Sequence, residues 1–110
     1  MASGNRVDKA TFLNARICVT RGWFVRTLRH ASPLSEGDRL RMEEGIEVGR
    51  RAHALFSAGV LLPPLPAERA AARTAELMAD PNVSAIFEAT FLVDGYIAKA
   101  DILSRETRGW

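Results

Sequence analysis

Four side chains in this sequence could do chemistry together: His53, Glu88, Lys99 and Asp101. Three of them fall in a stretch that reads as a β-hairpin. Ser84 to Val93 is rich in β-formers, Asp94-Gly95 is a two-residue turn signal, and Tyr96 to Ser104 reads as the returning strand. Such a turn pairs Val93 with Tyr96, and counting outward from it sets Glu88 opposite Asp101 and Thr90 opposite Lys99. Alternation places these four on one face with Ile86, Leu92, Ile97 and Leu103. The other face (Phe87, Ala89, Phe91, Val93, Tyr96, Ala98, Ala100, Ile102) is apolar throughout, which predicts its burial. Like charges directly across a strand pair are destabilising unless something neutralises them. A divalent cation with hard oxygen ligands would do so. So would Lys99, in a structural ion pair at a sheet edge, and the residues alone leave both readings open.

His53 belongs to a different element. The spacing predicts a helix over 36–57, opened by Ser35 as N-cap with Asp38 in its first turn. Met42, Gly45, Ile46, Gly49, Ala52, His53 and Phe56 recur at three-and-four spacing, the mark of one buried stripe. Two glycines inside a helix cost about 1 kcal/mol each relative to alanine. Four apart on one stripe, they would let another backbone come close, so this helix is expected to pack tightly. His53 on that face could be a ligand or a core histidine bonded to a backbone carbonyl.

The remaining elements follow from caps and breakers. Asp8 can cap a helix running through Phe12, Leu13, Ile17, Trp23, Phe24 and Leu28, with a slip near Thr20 to Gly22 that suggests two short helices. His30-Ala-Ser-Pro-Leu-Ser35 breaks that run. Gly59 and Leu62-Pro-Pro-Leu-Pro66 read as loop, and 67–79 as an alanine-rich helix stopped by Asp80-Pro81. The expected class is therefore α+β: N-terminal helices followed by an antiparallel hairpin. The domain organisation is one domain over 1–110, with a basic helical segment over 1–34 and a core that begins at 35.

Composition narrows the function. The chain has 110 residues, 47% hydrophobic and 25% charged, enough for a single core. No run of about 18 apolar residues exists, so no membrane span and no membrane partner are expected. The polar start from Met1 to Lys9 lacks a secretory apolar region, and a single cysteine fits a reducing cytoplasm. Net charge is +2 but uneven, since residues 1–30 hold six basic groups against Asp8 alone. Arginine, the better bidentate phosphate ligand, supplies 13 of the 15 basic residues. A basic lobe beside an acidic one suits a protein that grips phosphate while carboxylates hold a cation. An ordinary solvated basic helix fits the same charges.

In order and spacing, these pieces resemble the RecB-like branch of the PD-(D/E)XK nucleases, which includes the CRISPR-associated exonucleases. Lys9 to Phe24 looks like the family's opening segment, in which a short helix leads to a cysteine and then an aromatic. Gly49-x-x-x-His53 is similar to its helical glycine-histidine motif. Phe87-Glu-Ala-Thr-Phe91 and Asp94 to Leu103 look like its first two strands, ending on the aspartate motif. The resemblance implies a partial restriction-endonuclease-like fold and metal-dependent hydrolysis of phosphodiesters, with DNA as the expected partner. Asp101 would be the metal-ligating aspartate, His53 an additional ligand for Mg²⁺ or Mn²⁺, and Glu88 an accessory catalytic carboxylate. Arg16, Arg21 and Arg26 would hold the nucleic-acid backbone, a contact that carries no sequence information. The family's Glu-x-Lys occurs nowhere in the 110 residues. The resemblance places it a few residues beyond Trp110, so the chain is expected to be a front part of such a domain, inactive alone. Some relatives hold an iron–sulfur cluster with four cysteines. Cys18 stands where the first would be, but one thiol cannot hold a cluster, and a buried structural thiol is expected instead. The competing expectation is a non-catalytic interaction module that pairs with a partner, or with itself, through an open edge at Tyr96 to Ser104.

Overall fold

Asp8 and Ser35 open their helices as their side chains predict. The computed structural model describes residues 6–28 and 35–110, and in it Asp8 Oδ1 accepts a hydrogen bond from the Thr11 N–H at 2.8 Å. Ser35 Oγ accepts one from the Asp38 N–H at 3.1 Å. The elements are α1 (Lys9–Ile17), α2 (Val19–Thr27), α3 (Glu36–His53), β1 (Gly59–Leu61), α4 (Ala67–Ala79), β2 (Ala85–Val93) and β3 (Tyr96–Ser104). The class is α+β, with N-terminal helices ahead of a three-stranded mixed sheet of order β1-β2-β3. The expected break at His30 to Leu34 lies outside the described residues. The chain divides into two compact units, Met1–Pro33 with Leu92–Ala98, and Leu34–Phe91 with Lys99–Trp110.

In the first unit, α1 and α2 part at Cys18, whose backbone is extended at φ −158° and ψ 127°. The break falls two residues before the slip read from the sequence. The helices fold back closely: a Cβ added at Gly22 would lie 2.5 Å from the Ala15 Cβ, so only glycine fits there. Asp94 and Gly95 take φ of 50° and 80°, the paired positive values of a two-residue hairpin turn. Val7 pairs with Tyr96: the Val7 N–H donates to Gly95 O at 2.8 Å and the Ile97 N–H to Val7 O at 3.0 Å.

The second unit holds the core. Leu62, Ala70, Leu77, Val83, Ile86 and Ala89 form a buried cluster between α4 and β2. The expected loop at Gly59 is instead strand β1, parallel to β2 with Gly59 beside Ala85 and Leu61 beside Phe87. β2 is therefore a central strand, which explains why Ala85, Ile86 and Phe87 are buried in succession. Strict alternation also fails further on, because Glu88 takes φ 62° while Ala89 and Thr90 on its far side are both buried. The face expected to be wholly buried is not: Val93 is 65% and Tyr96 57% exposed.

At this break a side chain replaces a strand as partner. The buried Thr90 N–H donates to Thr74 Oγ1 on α4 at 2.9 Å, and the same hydroxyl donates to Ala70 O at 2.8 Å. Near the end of α4, the Arg105 guanidinium donates to Met78 O, Asp80 O and Val83 O. It also stacks on Trp110, whose Nε1 donates to Met78 O at 2.9 Å. These donors satisfy carbonyls that a helix end leaves unpaired. Thr74→Val should cost about 1–3 kcal/mol in urea unfolding, because it strands a buried N–H. Thr74→Ser, which keeps the hydroxyl, should cost markedly less.

Candidate functional site

His53 occupies the last position of α3 and lies flat on Phe87 of β2, with ring centroids 4.0 Å apart and planes 16° apart. Phe56 meets the same ring edge-on at 6.0 Å. Gly59 closes the third side, where an added Cβ would fall 2.4 Å from the Phe87 ring. Three consecutive pieces of chain thus converge on one buried aromatic. His53 is thereby seated on a buried side chain of β2, whereas Glu88 and Asp101 are exposed, and no contact joins His53 to either carboxylate among the described residues.

The rest of α3 departs from expectation. It contains no buried residue and ends at His53 rather than continuing to 57. Met42 is 55% and Ile46 70% exposed, so the apolar stripe does not pack within the described residues. The helix is held at its C-terminal end, while its surface is laced by Glu47 pairing with Arg50 and Arg51. Hydrogen bonds from these two arginines, Arg50 first, hold the Glu47 carboxyl below the ordinary glutamate value.

Glu88, Lys99 and Asp101 are all exposed. No ion pair joins Lys99 to either carboxylate among the described residues, so the structural ion pair read from the sequence does not form. Water can screen the two like charges at these exposed positions. His53 contacts an aromatic ring, and among the described residues no group of three or more His, Cys, Asp or Glu could hold a metal ion.

Arg16 and Arg21 are exposed on α1 and α2, and Arg26 is half-buried. Phe12, Leu13, Ile17, Val19, Trp23, Phe24 and Leu28 are also exposed there, which makes this a mixed apolar and basic surface. Cys18 is exposed rather than buried, because it caps the extended break before α2. Backbone hydrogen bonds from Arg21 and then Thr20 lower its thiol pKa. A cleft of about 310 Å³ lies between the 63–65 loop and α4, lined by Pro63, Leu65, Arg69, Ala72, Arg73 and Glu76. None of the residues singled out from the sequence lines it.

The stacking of His53 on Phe87 and the positive φ at Glu88 have no counterpart in the sequence reading. A histidine and an aromatic 34 positions apart carry no spacing signal, and glutamate is not a residue type that marks left-handed backbone. No family model matches the chain, and no curated protein or solved structure matches it.

The backbone at Glu88 generates a direct test. A non-glycine residue at positive φ costs roughly 1–2 kcal/mol, and a β-branched one costs more. Glu88→Gly is expected to leave the midpoint of urea unfolding unchanged or raised, and Glu88→Val to lower it clearly. Equal effects from both would contradict the assigned backbone.

Proposed function

We propose that this chain forms the front part of a metal-dependent nuclease domain of the PD-(D/E)XK type, acting on DNA. The observation that supports this most is the hairpin, which forms at Asp94-Gly95 and leaves Asp101 exposed on β3, an open position for the aspartate the resemblance calls for. His53 is seated on Phe87 of β2, and no contact joins it to Asp101 among the described residues.

In this reading Asp101 would supply the first carboxylate to Mg²⁺ or Mn²⁺, with His53 as a second donor, and Glu88 would remain an outer carboxylate. The cation, when bound, would activate water and stabilise charge on a phosphate. Residues of the chain itself do the rest of the work. Arg16 and Arg21 can contact nucleic-acid phosphates without regard to sequence, and Arg26 flanks them. In this reading two protein donors hold the cation weakly, and the 110 residues carry no Glu-x-Lys to hold and polarise water. Lys99 cannot stand in, since it shares a strand with Asp101 two residues earlier.

A second reading is a non-catalytic module that adds a strand to β3. It is favoured by the place of β3 at the edge of the sheet, where among the described residues Val7 bridges its start at Tyr96 and no strand pairs with the rest. DNA cleavage assays with Mg²⁺ separate the two. The 110-residue chain is expected to bind the cation weakly and show no turnover. A version extended by a strand bearing Glu-x-Lys is expected to cleave, and Asp101→Asn should abolish that cleavage. Full activity of the extended Asp101→Asn protein would remove the PD-(D/E)XK assignment and the role of Asp101 with it. Asp101-dependent cleavage by the 110-residue chain would move the catalytic centre elsewhere.

A further inference from the structure

α3 carries an apolar stripe that, among the described residues, nothing in its own unit covers. Met42, Gly45, Ile46 and Gly49 follow one another at three-and-four spacing and lead into His53, the residue seated on Phe87. Met42 and Ile46 are more than half exposed. A Cβ added at Gly45 or Gly49 would meet no atom within 4 Å. Each glycine costs the helix about 1 kcal/mol relative to alanine, and no contact inside the unit makes use of the space it leaves. The helix has 18 residues, a length of about 27 Å, and its ring contact to the core lies at its C-terminal end.

We propose that this stripe is the interface between two copies of this chain, with their α3 helices antiparallel about a two-fold axis. This inference is independent of the nuclease reading. The charges beside the stripe select a second copy as the occupant. Glu43 and Arg50 are seven residues apart, two turns, and so lie on the same flank of the helix. Both are exposed, the Arg50 side chain at 77%, and in the dimer Arg50 would divide its pairing between Glu47 of its own copy and Glu43 of the partner, Arg51 also holding Glu47. An antiparallel partner centred between residues 46 and 47 sets Glu43 of each copy beside Arg50 of the other, and symmetry makes the contact twice. The same register brings the Gly45 to Gly49 segment of each copy against that of the other, with Ile46 near the axis. There the missing side chains let the two backbones approach. A parallel arrangement would oppose Glu43 to Glu43 and Arg50 to Arg50, which like-charge repulsion disfavours. Glu43 makes no ion pair within its own copy among the described residues, so its carboxylate is available to the partner.

Sedimentation velocity on the 110-residue chain over a range of concentrations tests this. Reversible dimerisation is expected. Ile46→Asp should abolish it while leaving the helical circular dichroism intact. Glu43→Arg and Arg50→Glu should each weaken the dimer by roughly tenfold or more. Mixing those two single variants should restore association, because each then presents the charge the other lacks, and the double variant should dimerise by itself. A wild-type chain that stays monomeric at every concentration would overturn the proposal. So would a dimer indifferent to Ile46→Asp, or variants that fail to recover on mixing. Cross-links joining α3 to another segment of the same copy would identify a different occupant and overturn it equally.

Discussion

The ring of Phe87 is the contact through which the second unit gathers its elements. It is 4% exposed, and the His53 ring, the Phe56 ring and the Gly59 backbone all press on it. Burial of a phenylalanine contributes about 1.5–3 kcal/mol, and well-oriented aromatic pairs add about 0.5–1.5 kcal/mol. That one anchorage accounts for a helix of 18 residues with no buried position of its own. It also accounts for the glycine that opens β1, since any side chain there would displace the ring. The end of α3, the start of β1 and the middle of β2 are thus fixed together.

A second constraint acts three residues further along β2. The left-handed backbone at Glu88 interrupts the alternation, and Thr74 supplies the partner that the Thr90 N–H needs. A buried amide without that hydroxyl would lose a hydrogen bond with nothing to replace it. α4 is therefore tied to the strand at its centre by Thr74 and at its C-terminal end by Arg105 and Trp110. Asp101 and Glu88 are consequently presented on a sheet whose central strand is held by both α3 and α4.

Much of this is legible in the sequence, for local reasons. Asp8, Ser35 and the Asp94-Gly95 turn act within a few residues of themselves, and α4 is bounded by prolines. Each therefore forms where local rules place it. β1 is harder to read because a parallel partner 26 positions away leaves no turn signal, although Val60-Leu61-Leu62 between Gly59 and the prolines is a short apolar run of the right kind. The stripe on α3 misleads because periodicity reports an apolar face without saying what covers it. The pairing of Glu88 with Asp101 was read from a strict two-residue alternation, which a single residue at positive φ is enough to break. The donor positions were legible, and their geometry was not, because it depends on that break and on the Phe87 stack.

The functional account comes down to Asp101 and a histidine held one element away by stacking. Mn²⁺-induced broadening of backbone amide signals in NMR spectra reports weak cation binding at residue resolution, without requiring catalysis. The account predicts broadening centred on Asp101 and reaching the end of α3 around His53, and its loss in Asp101→Asn. Broadening centred instead on Glu43 to Glu47 of α3, or none near Asp101, would contradict the placement of the cation on the hairpin and the nuclease reading with it.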